Sequence, residues 1–399
     1  MAKTTLATPG KKREPLSNAT LLMLISIAVF IAMYIYAINE CPKGNFNKPR
    51  VFLDILNGNA PLIIIGCALT IVMIGGGINI SVGGVIGLTA MSCVLFMNSG
   101  MVEDGPWTVV LTAALAVGIG LAFGLLMGYM ISYLKIQPFI VTLAGMVLAR
   151  GLTTVQSSIN QNIASKAFKS IKTPETDINV DFLGSTNKNG YFQPGRIEIG
   201  VVIALVILVL VFLMLRYTKF GRNIYAIGGN EQSAMMLGIN VKRNRFISYV
   251  ISGVLSGIAG FVYILHNGGV SPSNVAVRSE MDAIASSIIG GTLLSGGVGN
   301  VFGTFFGVLI LSTIEKIIKF IEITDPALKE VFSKYQADIQ NIANGALLGL
   351  FIVIQSIVLS IRSKGKIRFH LPPWLKFGNA KKPESDKASP PAPEGIAKA

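Results

Sequence analysis

The stretch "PLIIIGCALTIVMIGGGINISVGGVIGLTAMSCVLFM", residues 61–97, decides the fold class. Two apolar runs, 61–77 and 81–97, flank a glycine-rich break, "IGGGINISVGG", residues 74–84. Each run approaches the roughly 20 residues that a helix needs to cross a bilayer. Clustered glycine costs a helix about 1 kcal/mol per residue, so the backbone between the runs is bent or unwound. Lipid cannot satisfy the polar groups of such a backbone, which must be buried in protein or line an aqueous cavity.

The rest of the chain repeats this character. Of 399 residues, 51% are hydrophobic and 14% charged, too apolar for a soluble domain of this length. Apolar runs recur at 19–38, 61–77, 81–97, 108–133, 138–156, 200–216, 245–265, 282–294, 299–320 and 342–361. They predict an all-α, polytopic integral membrane bundle of about ten transmembrane helices with glycine-broken segments. The run 19–38 follows Lys11, Lys12 and Arg13 but is too long for a secretory h-region, and no small-x-small cleavage site precedes Glu40, so it reads as the first span.

The net charge of +14 does not form the continuous face that nucleic acid requires. The basic residues gather in the tails and in residues 217–244, as orientation in a bilayer demands. Ten crossings from an inside N-terminus return the tail carrying Arg362, Lys364, Lys366 and Arg368 to the same side. The loop 217–244 then lies inside, where Lys219, Arg222, Lys242, Arg243 and Arg245 at its edge face one acid, Glu231. The loop 157–199 lies outside; the basic connection 41–50 runs against the rule. The expected organisation is a cytoplasmic basic tail (1–18), a membrane domain (19–361) and a basic, then Pro-rich cytoplasmic tail (362–399), disordered by composition.

Cys41, Cys67 and Cys93 read as packing residues. His266 and His370 are isolated, so no metal site is expected, and no nucleophile motif or cofactor site is visible. Glycine at every fourth position, Gly120, Gly124, Gly128 and Gly299, Gly303, Gly307, makes flat faces for close helix packing.

A second break, "IGGTLLSGGVG" at 289–299, shares Ile-Gly-Gly with the first. Tight interhelical turns and the broken helices of a transport path both fit this pattern. Gly75, Gly76, Gly77, Asn79, Ser81 and Gly83 in the first break, with Gly290, Gly291, Gly296 and Gly297 in the second, are candidates for a translocation path or gate. The clear spans lack internal acids, and Glu280, Asp282 and Glu315 sit at span ends, which disfavours ion coupling. No GxxxxGK[ST] phosphate loop is present, so ATP hydrolysis by that route is not expected of this chain. Arg150 is the one charge well inside a span, roughly 18 Å along the helix. It either hydrogen-bonds a polyol in transit, pairs with Glu280 or Asp282, or snorkels.

Within "YAIGGNEQSAMMLGINVKRN", 225–244, Asn230 is a helix N-cap, Glu231 suits the first turn, and Gly238 can end the helix left-handed. The helix expected over 231–237 is too short to stand alone. It is a capped surface loop or a docking element, with Ala234 and Leu237 expected on one face and Met235 and Met236 offering adaptable apolar surface.

Here a resemblance enters. "FGRNIYAIGGNEQSAMMLGINVKR" (220–243), "GGGINISVGG" (75–84), "PFIVTLAGMVLARG" (138–151) and "EMDAIASSIIGGTLLSGGVGNVFGTFFGVLIL" (280–311) resemble the ABC sugar-importer permeases. These are the ribose/galactose/xylose type within the branched-chain amino acid permease superfamily. The last block and the Arg150 segment are most similar to the galactofuranose permease branch. Asn79 stands where that family usually carries Asp. The resemblance implies a permease subunit with no enzymatic activity of its own, forming the path for a monosaccharide across a bacterial cytoplasmic membrane. Implied partners are a separate ABC ATPase, an extracytoplasmic solute-binding protein, a second copy or sister permease, and membrane lipid. Gly228, Gly229, Asn230, Glu231, Ala234, Leu237 and Gly238 would contact the ATPase. Nucleoside or branched-chain amino acid import is the alternative within the family. A gradient-driven secondary transporter and a non-transport membrane scaffold are the alternatives outside it.

Overall fold

The computed structural model describes residues 18–171, 178–186, 192–270, 272, 275–321, 332 and 334–364. The tails expected at 1–18 and 362–399 lie almost wholly outside those residues. Described residues up to Ser356 belong to one unit; beyond it, residues 357–364 are the end of the last helix.

Helices lie at each of the ten places marked by the sequence. They are α1 (Asn18–Glu40), α2 (Pro49–Ile74), α3 (Val82–Asn98), α4 (Pro106–Ser132) and α5 (Pro138–Gln156). The short α6 (Lys166–Ile171) precedes α7 (Ile199–Tyr217). Two further short helices, α8 (Lys219–Gly229) and α9 (Glu231–Met236), lead into α10 (Val241–Asn267). The last are α11 (Ser279–Ile289), α12 (Val301–Phe320) and α13 (Gln336–Lys364). Eight of these are long and apolar enough to cross a membrane; α3, with 17 residues, and α11, with 11, are shorter. At 1.5 Å per residue they reach only about 25 and 16 Å, and each abuts a non-helical glycine break.

The core is built around α2, of whose apolar window 78% is buried against 22% for α4. Since lipid is as apolar as leucine, the helices associate through close packing rather than water exclusion. The seam between α4 and α10 demonstrates this. A Cβ at Gly124 would stand 2.9 Å from the Tyr249 carbonyl oxygen, and one at Gly253 would overlap the Gly120 carbonyl. On α12, Gly303 and Gly307 likewise lie against the carbonyls of Gly290, the C-cap of α11, and of Ser286 within it. Gly120, Gly124 and Gly128 on one face, and Gly303 and Gly307 on the other, therefore meet backbone, while Gly299 lies before α12 and faces the side chains of Ile74 and Thr292.

Polar contacts separate the two ends of the bundle. At one end, Asn98 donates to the Asn162 carbonyl (2.8 Å) and accepts from the Ala164 amide (2.9 Å). Asn57 of α2 donates to the Arg196 carbonyl (2.9 Å) and accepts from the Glu198 amide (3.1 Å). The loop between α5 and α7 holds a hairpin of β2 (Ile178–Thr186) and β3 (Phe192–Ile197), and β1 (Gln161–Asn162) pairs with β4 (Gly269–Val270). These strands were not anticipated by an all-helical reading. They are short and confined to a connection, where backbone outside the helices still needs hydrogen-bond partners. The other end carries both glycine breaks together with α8 and α9.

Candidate functional site

The loop 217–244 folds as two short capped helices. Thr218 Oγ1 accepts from the Gly221 amide (3.2 Å) to start α8, and Asn230 Oδ1 accepts from the Ser233 amide (2.8 Å) to start α9. The second cap is the one expected from the sequence. Gly238 adopts φ +77°, and the chain turns back as the Ile239 amide donates to the Ala234 carbonyl (3.1 Å). Helix α9 ends at Met236, one residue earlier than expected, with Leu237 as its cap.

One expectation is corrected. Ala234 is 1% exposed and packs into its own chain, while Leu237 is 78% exposed; the two do not share a face. The surface offered outward is Met235, Met236 and Leu237, with Met236 87% exposed. Two turns leave too few apolar positions for two stripes, and burial against the bundle claims Ala234. Glu231 pairs with Arg245 at 2.8 Å and so ties α9 to α10.

The structure joins two groups of residues that the sequence keeps separate. Helix α8 seats directly on both glycine breaks. A Cβ at Gly228 would overlap the Ile74 carbonyl oxygen and the Gly297 amide, whereas Gly229 has no such neighbour. The Gly297 amide donates to the Ile74 carbonyl (2.8 Å), stitching one break to the other. Gly296 lies within 3.0 Å of Gly228 for a notional Cβ, and Gly76 faces the Ser295 carbonyl. Tyr225 of α8 donates from its hydroxyl to the Gly299 carbonyl (2.8 Å). Gly76, Gly291, Gly296 and Gly297 all have φ between +75° and +91°, the region where L side chains are strained. Gly75, Gly296 and Gly297 thus seat α8, while Gly76 meets the second break at Ser295 and Gly296; Gly290 and Gly291 pack against Gly303 and Leu22.

Past Gly77 the first break turns into the protein, and its polar groups are satisfied there. Tyr249 donates to the Ile78 carbonyl (3.1 Å). Asn79, fully buried, donates to Ser252 Oγ (2.9 Å) and accepts from the amide (3.1 Å) and hydroxyl (2.7 Å) of Ser81. The neutral amide thereby caps the turn that opens α3. This meets the requirement that irregular backbone at membrane depth be buried and paired.

Gly83, in the first turn of α3, makes room for the Glu280 carboxylate, which any side chain there would displace. Arg150 Nη2 donates to both Glu280 oxygens (3.0 and 3.1 Å) and to the Ala276 carbonyl (3.4 Å). Of the roles open to Arg150, the structure realises pairing with Glu280; Asp282 instead faces Asn344 (3.5 Å). The Glu280 side chain is 8% exposed and lies against the first turn of α3.

Two residues that complete the site had no motif to announce them, and Tyr225 lay in the quoted stretch without a role assigned. Tyr249 and Ser252 are isolated polar groups on α10, and only their placement opposite the Ile78 carbonyl and Asn79 gives them a role. Their signal was a polar atom inside an otherwise apolar or amphipathic run.

Comparison with known proteins follows this geometry. Residues 51–355 match the family described as "Branched-chain amino acid transport system / permease component". The chain is 36% identical to the inner membrane ABC transporter permease protein YjfF of Escherichia coli (strain K12), over 84% of this chain and 91% of that protein. It is 31% identical to the fructose import permease protein FruG of Bifidobacterium longum (strain NCC 2705), over 90% and 98%. It is 33% identical to the ribose import permease protein RbsC of Bacillus subtilis (strain 168), over 72% and 82%.

Proposed function

The chain belongs to the branched-chain amino acid transport system / permease component family, and on that footing we propose that it is the permease subunit of a binding-protein-dependent ABC importer carrying a monosaccharide. The observation that carries the coupling part is the seating of α8 and α9. Close glycine contacts hold α8 on both breaks, the Glu231–Arg245 pair ties α9 to α10, and Met235, Met236 and Leu237 project outward. A rigid seat with an adaptable apolar tip suits a groove in a separate ATPase. A push on α8 reaches Ile74 at the end of α2 and Gly297 in the turn that leads into α12.

The fructose and ribose named for the relatives support a monosaccharide as cargo. The polar pieces within the bundle, Asn79, Ser252, Arg150 and Glu280, are engaged with one another; selection among sugars falls to an extracytoplasmic solute-binding protein. The membrane is the bacterial cytoplasmic membrane, with both termini and α8–α9 inside. A second copy or a sister permease completes the path.

The test is co-purification from native membranes. The wild-type chain should bring an ATPase, and Met236→Arg with Leu237→Arg should remove it and abolish transport while membrane abundance stays normal. Retention of the ATPase by that variant would move the docking surface elsewhere. Uptake that survives ATP depletion and collapses with the ion gradient would replace this reading with a secondary transporter.

A further inference from the structure

A cavity of about 440 Å³ opens between the first turn of α1, the last turn of α7, α8 and the start of α12. Two guanidinium groups line it, Arg216 from the end of α7 and Arg222 from the first turn of α8, and no carboxylate is among its lining residues. Arg222 Nη1 donates to the Tyr217 carbonyl (3.3 Å), which leaves most of its five donors for another acceptor. Among the described residues, Arg216 forms no ion pair. Tyr225 and Thr20 also line it, the Tyr225 hydroxyl being engaged with the Gly299 carbonyl, and Phe212 and Leu215 form an apolar wall.

We propose that this cavity holds the phosphate of an anionic phospholipid headgroup. Arginine forks match phosphate oxygens in a planar, bidentate way. Like charges gathered in one cavity with no acid among its described lining residues call for an anion. The depth selects a lipid over a soluble anion: Arg216 closes a 19-residue apolar span, so the cavity lies where helix meets headgroup. Its apolar wall suits the glycerol and upper acyl region of a lipid. Basic pockets between spans at this level are the recognised form of headgroup recognition. A lipid seated there touches α8, which the coupling reading makes the moving part, but the binding itself does not depend on that reading.

The experiment photolabels the purified full chain in nanodiscs with a photoactivatable phosphatidylglycerol and maps the labelled peptides. Label is expected on peptides holding residues 19–20, 212–225 or 299–301, removed by excess phosphatidylglycerol but not by phosphatidylcholine or millimolar inorganic phosphate. Arg216→Gln with Arg222→Gln should lower it by roughly tenfold or more. Lys135→Gln, a basic change in the loop between α4 and α5, should leave it unchanged. Label spread evenly over the lipid-facing helices, equal labelling by a phosphatidylcholine probe, or full labelling of a monodisperse double variant would each overturn the proposal. Competition by inorganic phosphate would overturn the lipid and assign the cavity to a free anion. Mapping on the wild-type chain needs no variant to fold, and it is read without the ATPase, so it fails independently of the docking that Met236→Arg tests.

Discussion

Gly228 and Gly229 are neighbours of the same type in a motif, yet they do different work. The first touches the Ile74 carbonyl and the Gly297 amide; the second has no neighbour within 4 Å for a Cβ. Gly228→Ala should therefore push α8 off its seat, costing about 1–3 kcal/mol of overpacking, while Gly229→Ala stays near wild type. Thermal unfolding in detergent and ATPase-driven transport check both, and equal behaviour of the two variants would refute the seating. Arg150 invites a parallel comparison. Removing one partner of a buried pair strands the other; with Arg150 33% exposed and Glu280 8%, Arg150→Ala should cost roughly 2–3 kcal/mol. It should lower membrane abundance, and Glu280→Gln in the same chain should restore part of it. Normal abundance with lost transport would instead place the guanidinium in the cargo path. The sequence offered Glu280 and Asp282 alike as partners of Arg150, but nothing in the spacing chose between them or brought Gly83 beside the pair.

At the scale of elements, helix ends were the most legible features. Asn230 as N-cap and Gly238 as the left-handed stop follow from local chemistry, and both stand in the structure. The orientation of α9 was not legible, because a two-turn helix has no period long enough to declare a face. The connection between α5 and α7 was read only as a mixed-charge loop, and its elements rest on contacts from distant residues. Asp104, before α4, caps α6 by accepting from the Ser165 hydroxyl and from the Lys166 amide (2.6 Å). The Ser165 hydroxyl, then the Lys166 amide, hold its carboxyl below the ordinary value of 3.8. A lowered value means the cap stabilises α6 at pH above 3.8 and is lost as pH falls through the still lower folded value. Hydrogen exchange over residues 165–171, corrected for intrinsic rate, should rise in that acid window. Asp104→Asn should raise it at neutral pH, and unchanged exchange in that variant would remove the carboxylate from this role.

For the whole molecule, the orientation rests on charge counting and parity, and it can be tested directly. The native cysteines Cys41, Cys67 and Cys93 are each at most 1% exposed, so they form a quiet background for labelling. Met101, between α3 and α4, is 80% exposed, and Met236 is 87%. With a membrane-impermeant maleimide, Met101→Cys should label on intact cells and Met236→Cys only after permeabilisation. The reverse pattern would invert the molecule. The sequence by itself determined the apolar helices, their approximate limits, the two glycine breaks and the caps of α9, because each depends on local composition and near-neighbour chemistry. Only the tertiary structure decided that both breaks form the seat of α8, that Ala234 turns inward while Leu237 turns outward, and that Arg150 meets Glu280 beside Gly83. Those outcomes depend on which backbone groups of distant segments come within hydrogen-bond or van der Waals reach, a distance that spacing along the chain does not encode.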